Sequence, residues 1–237
     1  MADLTRRQEL ADNLAAVERR VAAACAVAGR ARGEVAVVAV SKTWPATDVA
    51  LLRDLGVRDF GENRDAEAAQ KAAAVPDVRW HFVGAVQTNK ARSVASYADV
   101  VHSVDRAALV TALAKGAVRA GRVIDVLIQV DLDEIPRRGG ARPGEVPALV
   151  ELAAAADGLR LAGVMAIAPL GADPAPSFAR LAVVAEQVRR QHPDAGVLSA
   201  GMSGDLEAAV AAGANLLRVG TALFGSRPPL TATLRTR

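Results

Sequence analysis

Lys42 is the side chain in this sequence best placed to do covalent chemistry. It stands two residues beyond the apolar run VAVVAV at 35–40, and strand alternation puts Ala36, Val38, Val40 and Lys42 on one face. An amine held in a partly desolvated setting binds its proton less tightly and becomes a nucleophile toward aldehydes, which is what a Schiff base requires. The structural alternative for the same position is a lysine that snorkels to solvent or pairs with a neighbouring carboxylate.

Two glycine-rich segments near the other end, GMSGD at 201–205 and RVGTALFG at 218–225, have the composition of a phosphate cradle. Gly201 and Gly220 let backbone approach a ligand, and Ser203 and Thr221 offer hydroxyl donors. Ordinary turn chemistry, with Ser203 or Asp205 capping a helix, is the competing explanation. Arg218 shares strand parity with Leu216 and Gly220. An inward guanidinium must be paired or face a ligand, so a structural salt bridge and a ligand contact both fit. Asn63, after FGE, suits a hydrogen bond to a ligand ring or a helix cap. His81 and His102 lie on separate strands, and His192 ends a helix. No HExxH or other metal-ligand spacing occurs, so His81 reads as a satisfied core histidine and metal chemistry is not expected. Cys25, the single cysteine, sits in an alanine-rich run and reads as a small buried apolar residue.

The elements that must position these residues follow one rhythm. A helix is expected over residues 5–30, opened by a Thr5/Gln8 capping box and carrying Leu10, Leu14, Val17, Val21 and Cys25 on one face. Strands are then expected at 35–40, 57–62, 79–84, 99–104, 123–130, 159–167, 196–201 and 215–220, with amphipathic helical segments between them. About eight strand–helix units in 237 residues point to one closed parallel (β/α)8 barrel, a TIM barrel spanning 1–237, rather than an open doubly wound sheet. No GxGxxG follows the first strand and no GxxxxGK[ST] occurs. In such a barrel ligands bind where the strands end, and phosphate commonly sits at the loops after the seventh and eighth strands. The segments 135–145 and 168–177 read as loops on that face, and the tail 226–237 lacks periodicity and is expected to fray.

Composition narrows the function classes. The chain is 51% hydrophobic and carries a formal charge of +3, with its Lys and Arg scattered and only 3% aromatic residues, so neither a basic stripe nor a stacking platform for nucleic acid is present. No run of about 18 apolar residues argues for a membrane span, and a start lacking a signal-peptide core, with one cysteine, gives a cytoplasmic expectation.

The strings AVSKTWP, DFGENR, RWHFVGAVQTNK, GVMAI, SAGMSGD and RVGTALFG resemble, in order and spacing, the pyridoxal phosphate homeostasis proteins, the proline synthase co-transcribed homologues. The likeness runs over nearly the whole chain. It implies a barrel like the N-terminal domain of alanine racemase, a fold-type III barrel, holding pyridoxal 5′-phosphate (PLP), mostly monomeric and without an established reaction. The lysine of the family's SKT motif falls on Lys42 as the Schiff-base residue, and the serine of its GMS motif falls on Ser203 beside the phosphate. Its R-x-G-T segment falls on Arg218, Gly220 and Thr221, with the arginine facing the pyridine nitrogen or phosphate edge, and the asparagine of GEN falls on Asn63. Two positions depart from the family: Asp131 where asparagine is usual, and Arg138 where lysine is usual. The resemblance implies intracellular PLP homeostasis, with apo PLP-dependent enzymes as partners and no catalysis; the alternative is a fold-type III enzyme such as an amino-acid racemase.

Overall fold

Parallel neighbours cannot be joined by tight hairpins, so each strand here must return through a crossover, and the crossovers are helical. The computed structural model describes residues 2–132, 139–169 and 171–226. Its strands are β1 (Ala36–Val40), β2 (Asp59–Glu62), β3 (Arg79–Phe82), β4 (Val100–Val104), β5 (Ile124–Gln129), β6 (Leu159–Met165), β7 (Val197–Ser199) and β8 (Leu216–Val219). Each pairs in parallel with the next, and β1 meets β8 to close a barrel. The closing register sets Ala36 opposite Leu216 and Val38 opposite Arg218. The closed barrel is the expected one, and the open sheet is ruled out.

The helices are α1 (Ala2–Val27), α2 (Ala46–Asp54), α3 (Asp65–Ala74), α4 (Ala91–Tyr97), α5 (Ala107–Arg119), α6 (Val146–Ala154), α7 (Ala175–Gln191), α8 (Leu206–Ala211) and α9 (Thr221–Phe224). They bury their apolar faces on the outside of the barrel, where most of the core lies. Among the described residues no helix is long and apolar enough to cross a membrane.

Helix α1 departs from its expected bounds. It begins at Ala2 and ends at Val27, so Thr5 and Gln8 lie inside it rather than forming a capping box. Gln8 bonds Asp12 Oδ1 at 3.0 Å, one turn on, a partnership at i,i+4 that outcompetes the cap once helix extends upstream. Its buried face carries Leu10, Val17, Val21 and Cys25 and packs against α2, α8 and α9.

The barrel interior is filled by Val38, Val100, Leu127, Met165 and Leu216, with polar side chains threaded beside them. His81 and His102 are both buried. His81 Nδ1 lies 2.9 Å from His102 Nε2, and His81 Nε2 lies 2.8 Å from Asp59 Oδ1. His81 is therefore the satisfied core histidine expected from its position.

Burial pushes both imidazoles below the ordinary histidine value, His102 the further. Below pH of about 6.5 the unfolded chain takes up protons that the folded barrel resists, so their contribution is complete above that pH and is lost as pH falls. Each histidine steepens the loss by up to about 1.4 kcal/mol per pH unit. Urea unfolding between pH of about 5 and 7.5 should show this slope, reduced in His102→Gln. Equal slopes for the two proteins would contradict it.

Candidate functional site

The carboxyl ends of β1, β2, β7 and β8 bring Lys42, Asn63, Ser203, Arg218, Gly220 and Thr221 to the wall of one cavity of about 290 Å³. These are the six residues singled out from sequence. Val40, Trp44, Val83 and Ile167 supply apolar wall between them. The volume is at the small end of ligand pockets, about 300–1,000 Å³, and the lining mixes apolar surface with a few convergent polar groups.

Lys42 sits half-buried in the turn that follows β1. This turn is held from outside the barrel. Thr43 adopts a left-handed backbone with φ 71°, a conformation costly for a β-branched residue, and its N–H donates to Glu67 Oε1 at 2.6 Å. Lys71, only 5% exposed, donates to the Ser41 carbonyl at 2.8 Å, Glu62 Oε1 at 2.6 Å and Glu67 Oε1 at 2.7 Å. Ser41 Oγ also donates to Glu62 Oε1 at 2.6 Å. One ammonium thus ties the Lys42 turn to the end of β2 and the first turns of α3. Glu62 is 1% exposed; burial raises its proton affinity against the opposing bonds from Lys71 and Ser41. Its Oε2 has no partner. Sequence reasoning passed over these three residues. The available signals were the i,i+4 spacing of Glu67 and Lys71 and a charged Glu62 on the outward, buried face of β2.

At the opposite side, Ser203 Oγ accepts from the Ala222 N–H at 3.2 Å, joining the loop after β7 to the first turn of α9. Neither Ser203 nor Asp205 caps α8 through its side chain; Asp205 Oδ1 instead accepts from the Met202 N–H at 2.5 Å. Helix α1 braces both loops: Arg20 donates to the Ser203 carbonyl, Asn13 to the Leu223 carbonyl and Arg6 to the Phe224 carbonyl, each at 3.0 Å. Arg6 also lies 4.6 Å above the Trp44 ring, which stacks on Phe224. Gly201 owes its identity to packing rather than to the cavity: with φ +89°, a Cβ there would stand 2.6 Å from Ala209 Cβ. Gly84 is equally constrained, since a Cβ would stand 2.4 Å from the Asn63 carbonyl oxygen. That close approach fixes the backbone that presents Asn63.

Arg218 points inward, as its parity indicated, and is 5% exposed. No salt bridge holds it among the described residues. Its Nη1 donates to Ser199 Oγ at 2.7 Å and its Nη2 to the Ala166 carbonyl at 2.9 Å. Burial draws its pKa down to about 10, with the Asp205 charge acting the other way, so it remains a cation at neutral pH. A buried guanidinium bonded to neutral acceptors, lining a cavity that an amine also lines, fits a ligand that is both anionic and aldehydic.

Other candidates are placed elsewhere. Tyr97, in α4, donates to Asp65 Oδ1 at 3.2 Å, and His192 pairs with Glu151 at 2.9 Å on the surface. Cys25 is buried in α1. Asp131 follows β5, its N–H bonded to the Ala141 carbonyl at 2.8 Å; Arg138 and the tail beyond Ser226 lie outside the described residues. No group of three or more His, Cys, Asp or Glu that could hold a metal occurs among the described residues.

Comparison with known proteins agrees with the fold. The family model for the N-terminal domain of alanine racemase matches residues 12–228. A pyridoxal phosphate homeostasis protein of Mycobacterium tuberculosis is 43% identical over 243 residues, covering 94% of each chain. The structure of PipY from Synechococcus elongatus with PLP bound is similar with a TM-score of 0.77 and 36% identity, over 91% of this chain and all of that one. An alanine racemase of Corynebacterium glutamicum shares the fold at a TM-score of 0.70 and 16% identity, over 95% of this chain and 62% of its own.

The buried ammonium predicts an asymmetric mutational response. Lys71→Met leaves Glu62 as an uncompensated buried charge and should cost about 3–5 kcal/mol in urea unfolding. Adding Glu62→Gln should recover most of that loss. A double variant no more stable than Lys71→Met alone would refute the charge account.

Proposed function

This chain belongs to the pyridoxal phosphate homeostasis proteins of the alanine racemase N-terminal domain family, and on that premise we propose that it binds PLP in the Lys42–Arg218 cavity as a reversible intracellular store. The observation that carries the reading is the convergence of an amine and a donor-rich loop pair on one cavity. PLP supplies an aldehyde that condenses with a lysine amine and a ring that can withdraw electrons.

Lys42 is the residue that would hold the aldehyde of PLP covalently. The turn braced by Lys71 and Glu67 holds it at the cavity wall, where a neutral amine is a nucleophile toward an aldehyde. Ser203 and Thr221 would receive the phosphate through their hydroxyl groups. Asn63 orients a ring substituent. Arg218 carries donors only and stays charged, so a ring nitrogen beside it resists protonation. An unprotonated ring withdraws electrons weakly, which suits holding the cofactor more than running carbanion chemistry on it.

Racemisation needs a proton donor and acceptor on both faces of a substrate Cα. Lys42 offers one. Tyr97, the single tyrosine of the chain, is committed to Asp65 between α3 and α4, and His81 and His102 are sealed in the barrel core. Lacking a positioned second group, typically worth 10²–10⁴-fold, the holo-protein should show at most trace turnover. Delivery to apo PLP-dependent enzymes is the partner relation consistent with a store.

Purified protein incubated with PLP should show a visible band that borohydride fixes to the chain, and Lys42→Ala should abolish the fixed chromophore while leaving weaker, reversible binding through the phosphate contacts. A Lys42→Ala protein that still becomes covalently labelled would overturn the assignment. Incubation of holo-protein with L- and D-amino acids in deuterated water should give little Cα exchange. Rates near those of ordinary enzymes, about 1–10³ s⁻¹, would favour a racemase instead.

A further inference from the structure

A continuous row of polar side chains, half-buried at Asp59 and buried from His81 onward, crosses the barrel core and ends on Arg218. From Asp59, the first residue of β2, contacts run to His81 Nε2 at 2.8 Å, from His81 Nδ1 to His102 Nε2 at 2.9 Å, from His102 Nδ1 to Ser199 Oγ at 3.1 Å, and from Ser199 Oγ to Arg218 Nη1 at 2.7 Å. The row starts at the amino-terminal mouth, where His81 lines a separate cavity of about 280 Å³. It finishes at the carboxyl-terminal mouth, where Arg218 lines the cofactor cavity.

Donor counting gives this row one direction. A carboxylate only accepts, so His81 presents Nε2–H to Asp59. A neutral imidazole has one N–H, so His81 Nδ1 must accept, and His102 must donate from Nε2. His102 Nδ1 then accepts the Ser199 hydroxyl proton, which leaves the Ser199 lone pairs for Arg218 Nη1. Burial keeps both imidazoles neutral near pH 7. Every donor along the row points away from the arginine and toward the carboxylate, so the aligned dipoles present their negative end to a cation that pairs with no carboxylate among the described residues.

We propose that Asp59, acting through His81, His102 and Ser199, is a positioning residue for Arg218: it sets the direction of the buried hydrogen-bond row and so the orientation and electrostatic surroundings of the guanidinium at the cofactor ring. The inference rests on the reading that PLP occupies the Lys42–Arg218 cavity. The row itself can be tested without the cofactor.

In ligand-free wild-type protein, ¹⁵N NMR of labelled histidines should show both His81 and His102 as neutral Nε2–H tautomers near pH 7. An Nδ1–H tautomer at either one, or a charged ring, overturns the direction. On adding PLP, the His81 ring nitrogens should shift although His81 is sealed from the cofactor cavity; shifts confined to surface His192 overturn the coupling. Asp59→Asn is nearly isosteric, and its amide can donate or accept, so the fixed direction is lost. It should weaken PLP binding about threefold to tenfold and move the absorption maximum of the bound chromophore, while Asp59→Glu restores both. An Asp59→Asn protein that matches wild type in affinity and spectrum overturns the proposal. Wild-type protein that fails to bind PLP at all would instead sink the functional reading and leave the tautomer result to decide the row.

Discussion

Everything in this molecule depends on the hydrogen-bonded ladder between its first and last strands. An open parallel sheet would leave two edges of unpaired backbone groups; pairing β1 with β8 removes both at once. The register of that single ladder, Val38 against Arg218, also decides the chemistry. It brings Lys42 and Gly220, distant in the sequence, to the same rim and sets an amine and a guanidinium on the wall of one cavity.

Two buried polar systems then specialise the two sides of the barrel wall. Outside β1 and β2, the Lys71 ammonium is bonded to a carbonyl and two carboxylates, a full-charge clamp whose value lies in holding one turn and whose removal would be severe. Inside, the route from Asp59 to Arg218 uses neutral rings and a hydroxyl, which fill space among valines and leucines at smaller desolvation cost than ions would. The clamp governs where the Lys42 amine sits, and the inner row governs the field at the ring it would meet.

Much of this was legible in the residues themselves. Alternation along one strand placed Lys42 and Arg218 inward, and glycine-rich segments after the seventh and eighth strands placed Ser203 and Thr221, because period-2 geometry and strand-end loops are local properties of a parallel barrel. What escaped were partnerships between distant segments. The start of α1 differs from the expected one because a Thr5 cap competes with three helical residues upstream. Gly201 looked like a ligand contact and is a packing contact with α8. The meeting of His81, His102, Ser199 and Arg218 depends on the relative stagger of four strands, which no local pattern encodes, and Lys71 gave only the weak signal of a neighbour one helical turn away.

The bracing by α1 of the loops after β7 and β8 has a bearing on how the chain is made. Arg6, Asn13 and Arg20 leave the ribosome some two hundred residues before their acceptors, the carbonyls of Phe224, Leu223 and Ser203. Until then α1 exposes an apolar stripe from Leu10 to Cys25 that α8 and α9 will cover, and β1 waits for β8. Contacts of such sequence separation form slowly and leave partly folded chains prone to aggregate. Nascent chains that stop short of β8 would therefore offer chaperones a sticky helix and an open sheet edge, and would lack the closed rim on which a cofactor could settle.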